Sequence, residues 1–315
     1  MNFRPEPTLS RRGLLSAAGA TVVTGCAGGA KPDGTLMVGD QRGGSRVVLS
    51  GSGEIEGMPY KLKWAEFPNA APLLEALSAG AIDTGGGGDS AFIFAIGSHA
   101  PIKAIGAQKA TGFGPVILVR RDSPIRTLGD LAGKRVATPR GSISHNHVLA
   151  VLEAYGQPYD VVRFAFLSPS DGRAALQGGS VDAWAIWDPY AAFAEKQGAR
   201  ILPGKQDLVP GYSFIFGRDG AITEKRPLLA DYRRRLFKGW IWANRDHQKY
   251  VELMHEATGT PVEILQITTA RTTRLPAPID AAVIAEQQRT ADRYLRAGVI
   301  AHPIDVRKGF DTSFV

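Results

Sequence analysis

At 315 residues, 44% hydrophobic and 21% charged, the chain has the composition of a soluble globular protein with one large or two medium domains, which excludes extensive disorder. The formal net charge of +7 suits an anionic partner. Lys and Arg are dispersed, however, and the densest cluster, Arg233 to Arg235, lies in an ordinary amphipathic helix without an aromatic-basic motif, so no nucleic acid partner is expected.

The chain opens with a twin-arginine pattern, Ser10-Arg11-Arg12-Gly13-Leu14-Leu15, leading into an apolar run too short to span a bilayer and ending at Val23-Thr24-Gly25-Cys26. Small residues around the single Cys resemble the lipobox of bacterial lipoproteins, where the thiol is acylated and the preceding bond is cut. Residues 1–25 are therefore expected to form a twin-arginine-like lipoprotein signal peptide, with lipidation at Cys26. No disulfide is possible with one Cys, which suits export without an oxidative staple.

Beyond the signal, strands and helices alternate. "TLMVG" (35–39) is a strand running into a polar glycine loop, "YKLKWAEF" (60–67) alternates as a second strand, and "APLLEALSAG" (71–80) is a helix closed by Gly80. Four glycines, Gly85 to Gly88, precede Asp89, Ser90 and an apolar helix over 91–97. The apolar runs "PIKAIGAQ" and "GPVILVRRD" come next, then the strand "RVAT", a glycine turn and a helix over 144–155. "DVVRFAFL" (160–167), a helix at 170–178 and "VDAWAIW" complete a second alternation, and helices dominate from Lys225 onward. The pattern predicts an α/β fold with two lobes, each a mostly parallel sheet flanked by helices.

In such sheets, small ligands bind beyond the carboxyl ends of the strands, where helix N-termini present unpaired N–H groups. Three loops have this form: Gln41 to Gly44, Gly85 to Ser90, and Pro139 to His145. Asp89 and Ser90, or Ser142 and Ser144, can each cap the following helix. After them "SVDAWAIWDPY" sets Trp187, Asp188, Pro189 and Tyr190 in a row where Pro189 forbids further ladder pairing. Trp184 belongs with the core, because two aromatic rings three residues apart on a straight strand cannot both line one cleft.

"KATGFGPVILVRRDSPIRTLGDLAGKRVATPRGSISHNHVLAVLEAYG" and "PSDGRAALQGGSVDAWAIWDPY", with "WAEFPNAAPLLEALSAGAID", "GGGGDSAFIFA" and "EQQRTADRYLRAGVIAHPIDVRKGF", closely resemble the periplasmic aliphatic-sulfonate-binding proteins of ABC importers. The motifs recur in order over nearly the whole mature chain. The resemblance implies the two-lobed periplasmic-binding-protein fold of type II, with lobe one at 34–117 and 215–315 and lobe two at 118–214. It also implies a monomeric receptor at the extracytoplasmic face, lipid-anchored through Cys26, that hands a sulfonate to an ABC permease and its ATPase and needs no cofactor or metal.

Carried over by motif, the donors to the sulfonate oxygens would be Gln41, the Gly88-Asp89-Ser90 segment, and the helix start at Ser142, Ser144 and His145. Trp187 and Tyr190 would wall the carbon chain. The carboxylates would oppose an anion directly. Asp89 is accordingly read as an N-cap, and Asp188 as a residue that fixes its loop or accepts a bond from an amino or hydroxyl group of the ligand. His145 either donates to an oxygen or faces solvent.

Two departures from the family pattern stand out. A hydroxyl residue expected inside the glycine run is missing, and the first helix carries Gly51, Gly53 and Gly57. Relatives of similar architecture that carry taurine, nitrate or a thiamin-precursor pyrimidine are the alternatives among binding proteins. An aryl-sulfinate desulfinase is the alternative among enzymes, but it acts through a cysteine nucleophile, and Cys26 lies in the export signal.

Overall fold

The computed structural model describes residues 34–41, 43–204 and 207–314; the expected signal peptide and Cys26 lie outside them. The alternating apolar patterns resolve into two sheets. The six-stranded sheet holds β1 (Thr35–Gln41), β2 (Lys61–Phe67), β3 (Thr84–Gly88), β4 (Ile102–Gly112), β10 (Gly211–Arg218) and β11 (Thr272–Ala277), in the order β11-β4-β10-β3-β1-β2. The five-stranded sheet holds β5 (Val116–Val119), β6 (Arg135–Thr138), β7 (Arg163–Phe166), β8 (Ala183–Ile186) and β9 (Arg200–Ile201), in the order β7-β6-β8-β5-β9.

Both sheets are mixed, which corrects the mostly parallel expectation. Alternation of strands and helices produces the parallel pairs β1–β2, β1–β3, β6–β7 and β6–β8. β10 and β5 enter their sheets directly from the other one, without a crossover helix, and so run antiparallel to their neighbours.

Among the described residues the α-helices are α1 (Ser45–Gly51), α2 (Ala70–Ser78), α3 (Asp89–Gly97), α4 (Ile143–Ala154), α5 (Pro169–Gln177), α6 (Tyr190–Lys196), α7 (Asp219–Glu224), α8 (Arg226–Arg245), α9 (His247–Thr258), α10 (Val262–Arg271) and α11 (Ala281–Arg296). Period-two alternation sorts the strand residues between two cores per sheet. In the six-stranded sheet Phe214 and Phe216 pack with Phe92 of α3 and Tyr294 of α11, while Leu36, Val38 and Ile215 pack with α1 and α8. In the five-stranded sheet Val136, Ala183 and Ala185 lie under Val148, Val151 and Leu152 of α4. Trp184 faces the opposite way, fully buried, as expected of a core residue. A Cβ at Gly172 of α5 would stand 2.5 Å from its indole nitrogen, so glycine there lets the helix settle on the ring.

Register shows where a ligand can meet the fold. The carboxyl ends of β1, β3 and β4 share one edge with the starts of β10 and β11, since Gly88 pairs with Ser213 and Gly112 with Thr272. In the other sheet the carboxyl ends of β6 and β8 share an edge with the start of β5, since Ile186 pairs with Val116. The chain crosses from one edge to the other through Phe113-Gly114-Pro115 and returns between Ile201 and Gly211. The breaks expected after 117 and 214 fall inside β5 and β10, and the crossings lie a few residues earlier. Gly112, at φ +96, and Pro115, which has no N–H, end the pairing there.

Candidate ligand site at the facing strand ends

At the first loop, Asp40 is buried; its Oδ1 accepts from Ser45 N at 2.6 Å and its Oδ2 from Arg46 N at 3.3 Å. The N-terminal amides of α1 expected beside Gln41 are thus already occupied by a carboxylate. Burial pushes Asp40 up to about 6 in spite of those bonds. Gln41 Nε2 donates to the Gly86 carbonyl at 2.9 Å, which ties β1 to β3 and leaves one amide proton uncommitted. The glycines after it end α1 early, and a Cβ at Gly51 would lie 2.5 Å from the Trp242 ring.

The four-glycine run is the strand β3 rather than a loop. A Cβ at Gly85 would come within 2.9 Å of the Gly39 carbonyl, and one at Gly87 within 3.1 Å of Ala70 and Phe216, so close neighbours occupy one face. Gly88 has open space around it. It is also the N-cap of α3, which corrects the N-cap assignment of Asp89. Asp89 is the first helical residue, and its buried carboxylate accepts from the Ser90 hydroxyl at 3.0 Å and from the amides of Ser90 and Tyr212. Burial outweighs those bonds and pushes it up to about 7.

Ser142 is the N-cap of α4, accepting from His145 N at 3.2 Å and donating to the Pro139 carbonyl at 2.7 Å. Its only hydroxyl proton is therefore committed. Ser144 Oγ, by contrast, is buried without a partner. His145 does not face solvent. It is buried among the rings of Phe164, Phe166 and Tyr294, its Nδ1 accepts from Gly141 N at 3.2 Å, and burial pushes it down to about 4, helped by Arg140. That bond puts the neutral ring's proton on Nε2.

The helix starts of α3 and α4 are brought together by Tyr294, a residue the sequence reading did not single out. Its hydroxyl donates to the Ser142 carbonyl at 3.1 Å and lies within bonding reach of Ser90, while its ring packs 5.6 Å from Phe94 of α3. Phe94 also fills the space beside Gly141, where a Cβ would stand 2.4 Å from the ring. Below this contact α11 is riveted to α4. Asn146 donates to Thr290 at 3.3 Å and accepts from Arg293 at 2.8 Å, and Arg293 Nε donates to Glu153 at 2.7 Å. Burial alone would raise Glu153, but Tyr159, Arg296 and Arg293 hold it down to about 2.

Trp187 and Tyr190 meet edge to face at 6.1 Å, half-buried beside the core under α5 and α6. Between them, Asp188 precedes a cis peptide bond to Pro189 and accepts from Ala192 N at 3.1 Å through Oδ1. Arg271, at the end of α10, stands 3.7 Å from that oxygen, donates to Glu195 at 2.6 Å and stacks 4.4 Å over the Phe113 ring in the crossing. Burial raises Asp188, partly offset by the Arg271 charge. The expected residues therefore fall into three groups at the facing edges: Gln41 of β1 bonded to β3, Ser90 with Ser142 and His145 around Tyr294, and the Trp187–Tyr190 turn around Arg271. Tyr294 and Arg271 are far from those loops in sequence, and only their side-chain chemistry hinted at a role.

A match to the NMT1/THI5-like family covers residues 61–249. The chain is also 32% identical to an aliphatic-sulfonates-binding protein of Escherichia coli (strain K12) over 305 residues, which is 95% of this chain and 94% of that one. The chain belongs to the NMT1/THI5-like family.

Among solved structures, this NMT1/THI5-like protein is similar to the alkanesulfonate-binding protein SsuA of Xanthomonas axonopodis pv. citri bound to MOPS, with TM-score 0.80, 33% identity, and coverage of 88% of this chain and 98% of that one. The periplasmic aliphatic sulphonate binding protein SsuA of Escherichia coli aligns with TM-score 0.78 and 31% identity, over 88% of this chain and 92% of that one. The two-lobed fold is thereby shared, and its periplasmic relatives support an extracytoplasmic location. The desulfurization enzyme DSZB, at TM-score 0.64 and 17% identity over 89% of this chain and 97% of that one, shares the fold alone.

Proposed function

We propose that the protein is the extracytoplasmic substrate-binding component of an ABC importer, capturing an aliphatic sulfonate between its two sheets and delivering it to a permease and its ATPase for sulfur acquisition. The observation that carries this reading is that both crossings join the carboxyl edges of the two sheets, so the helix starts of α3 and α4 and the Trp187–Tyr190 turn all belong to one seam. A sulfonate is a strong acid and stays anionic at physiological pH. It offers three acceptor oxygens and no proton, and N–H and O–H donors at helix N-termini suit it.

Within that seam Ser144 and the amides at the start of α4 are the oxygen donors, with Ser142 and Tyr294 holding the helix starts in place and Ser90 committed to Asp89. Gln41 contributes its free amide proton, and Gly88 leaves room for close approach. The pair Trp187 and Tyr190 walls the carbon chain. Such a site works as a receptor and not as an enzyme, because the single cysteine precedes the fold and no general base or metal is needed to hold the ligand. Cys26 anchors the protein to the membrane by its acylated thiol, and the protein acts as a monomer.

Thermal-shift titration of the purified protein against alkanesulfonates of increasing length, sulfate and nitrate tests the reading. At a hundredfold excess over Kd a ligand adds about 2.7 kcal/mol, a shift of several degrees. Shifts confined to sulfonates are expected, and Trp187→Ala should weaken long chains more than short ones. A flat sulfonate response beside a clear shift with nitrate would overturn the assignment.

A further inference from the structure

The corner between Asp188, Glu195 and Arg271 holds two unmet groups side by side. Asp188 Oδ2 is buried without a hydrogen bond, and so is Arg271 Nη1, although the two residues approach to 3.7 Å. Their other atoms are committed: Asp188 Oδ1 to Ala192 N at 3.1 Å, and Arg271 Nη2 to Glu195 at 2.6 Å. The guanidinium cannot swing freely to satisfy Oδ2, because it is pinned over the Phe113 ring at 4.4 Å.

Charge decides what fits there. Two carboxylates face one guanidinium, so the corner carries a net charge of about −1 with both acids ionised. A sulfonate oxygen is repelled by that balance, whereas a cationic or hydrogen-bond-donating group is drawn to the free Oδ2. Trp187 and Tyr190 flank Asp188 in the same turn, which the sulfonate reading assigns to the carbon chain of the ligand.

We infer that Asp188 Oδ2 receives an amino or hydroxyl group on the far end of the ligand's carbon chain, so that the preferred substrates are amino- or hydroxy-substituted sulfonates rather than bare alkanesulfonates. This rests on the sulfonate reading above. Arg271 is a positioning residue: it keeps Asp188 oriented, and with Glu195 it leaves the corner negative. An acceptor already buried without a partner gains a hydrogen bond only from a ligand that carries the donor, and gains nothing from one that lacks it.

The test is calorimetric titration of the full-length protein with taurine, isethionate and ethanesulfonate, which share a two-carbon chain and differ in the group at its end. Taurine or isethionate should bind at least tenfold tighter than ethanesulfonate, and Asp188→Asn should bring the taurine-to-ethanesulfonate affinity ratio to within threefold. Wild-type affinities within threefold of one another would overturn the inference while leaving the sulfonate reading intact, and they need no variant to fold. An equal loss for all three ligands in Asp188→Asn would likewise overturn it, by making Asp188 a brace of the loop. Absence of any sulfonate binding beside clear binding of nitrate would bring down the sulfonate reading and the inference together.

Discussion

Two seams join the sheets of this protein, and they are finished differently. Between α4 and α11 one polar network is complete: both ends of the Asn146 amide are bonded, both Glu153 oxygens take donors, and Arg293 serves the two residues at once, while His147 and Gln287 beside it are buried with unbonded polar atoms. Around Arg271 a donor and an acceptor face each other without bonding. Completed networks rigidify, while unmet buried groups are costly unless something else satisfies them. The Asn146–Glu153–Arg293 network therefore reads as a permanent brace, and the Arg271 corner as a place that answers to the ligand.

Substitutions can break or sharpen that contrast. The largest effect is expected of Gly112→Ala, beside the second seam. Its φ is +96, and a Cβ would stand 2.2 Å from the Arg271 carbonyl, a backbone atom that cannot step aside. The loss should be about 3 kcal/mol, a fall in Tm of roughly 6 to 12 °C by calorimetry. Arg293→Met, in the brace, strips a donor from both Glu153 and Asn146 and should cost about 2 kcal/mol in urea unfolding. Ligand affinity should stay within threefold in that variant; a tenfold loss at unchanged stability would mean that the brace is itself part of the binding surface.

The brace also sets a pH dependence. His147 is buried with both ring nitrogens unbonded, and burial, aided by Arg293, pushes it down to about 4. A base whose folded pKa is depressed binds protons sooner in the unfolded chain, so its contribution is present above the unfolded value of about 6.5 and is lost as pH falls toward 4. Asp89, raised to about 7, acts in the opposite sense, its contribution being lost as pH rises through 7. His147→Leu should therefore gain about 1 kcal/mol relative to the wild type between pH 7.5 and 5.5, measured as the difference of the two unfolding curves. The smallest effect is expected of Lys196→Ala. Its ion pair with Glu263 spans the second seam at 3.0 Å, but both side chains are half or more exposed, so stability should change by less than about 0.5 kcal/mol.

How far this was readable from the sequence depended on whether a residue's partners were near it in the chain. "RVAT" is β6 residue for residue, the helix expected over 144–155 is α4 within one residue at each end, and Trp184 is in the core as its strand phase requires. The glycine run was read as a loop because four glycines have no strand propensity. It is a strand because β1 and α2 on one side and Phe216 on the other leave no room for side chains at Gly85 and Gly87. β11, "TTRLPA", contains a proline and sits among helices, so nothing local marks it. It is paired at the sheet edge through β4, where a missing N–H is tolerated. The capping assignments were half legible: Ser142 caps α4, but Asp89 turns its carboxylate to Tyr212, more than a hundred residues away in sequence.

By itself, then, the sequence determined the α/β class, the family and the order of the three strand-end loops, because periodicity, glycine turns and caps are local physics written in neighbouring residues. Only the tertiary structure decided that Tyr294 closes the gap between two of those loops, that Asp40 occupies the N–H groups of the first helix, and that Arg271 leaves Asp188 with a free oxygen. Each of those depends on burial and on a partner from a distant element, and neither is encoded at the position where its effect is felt.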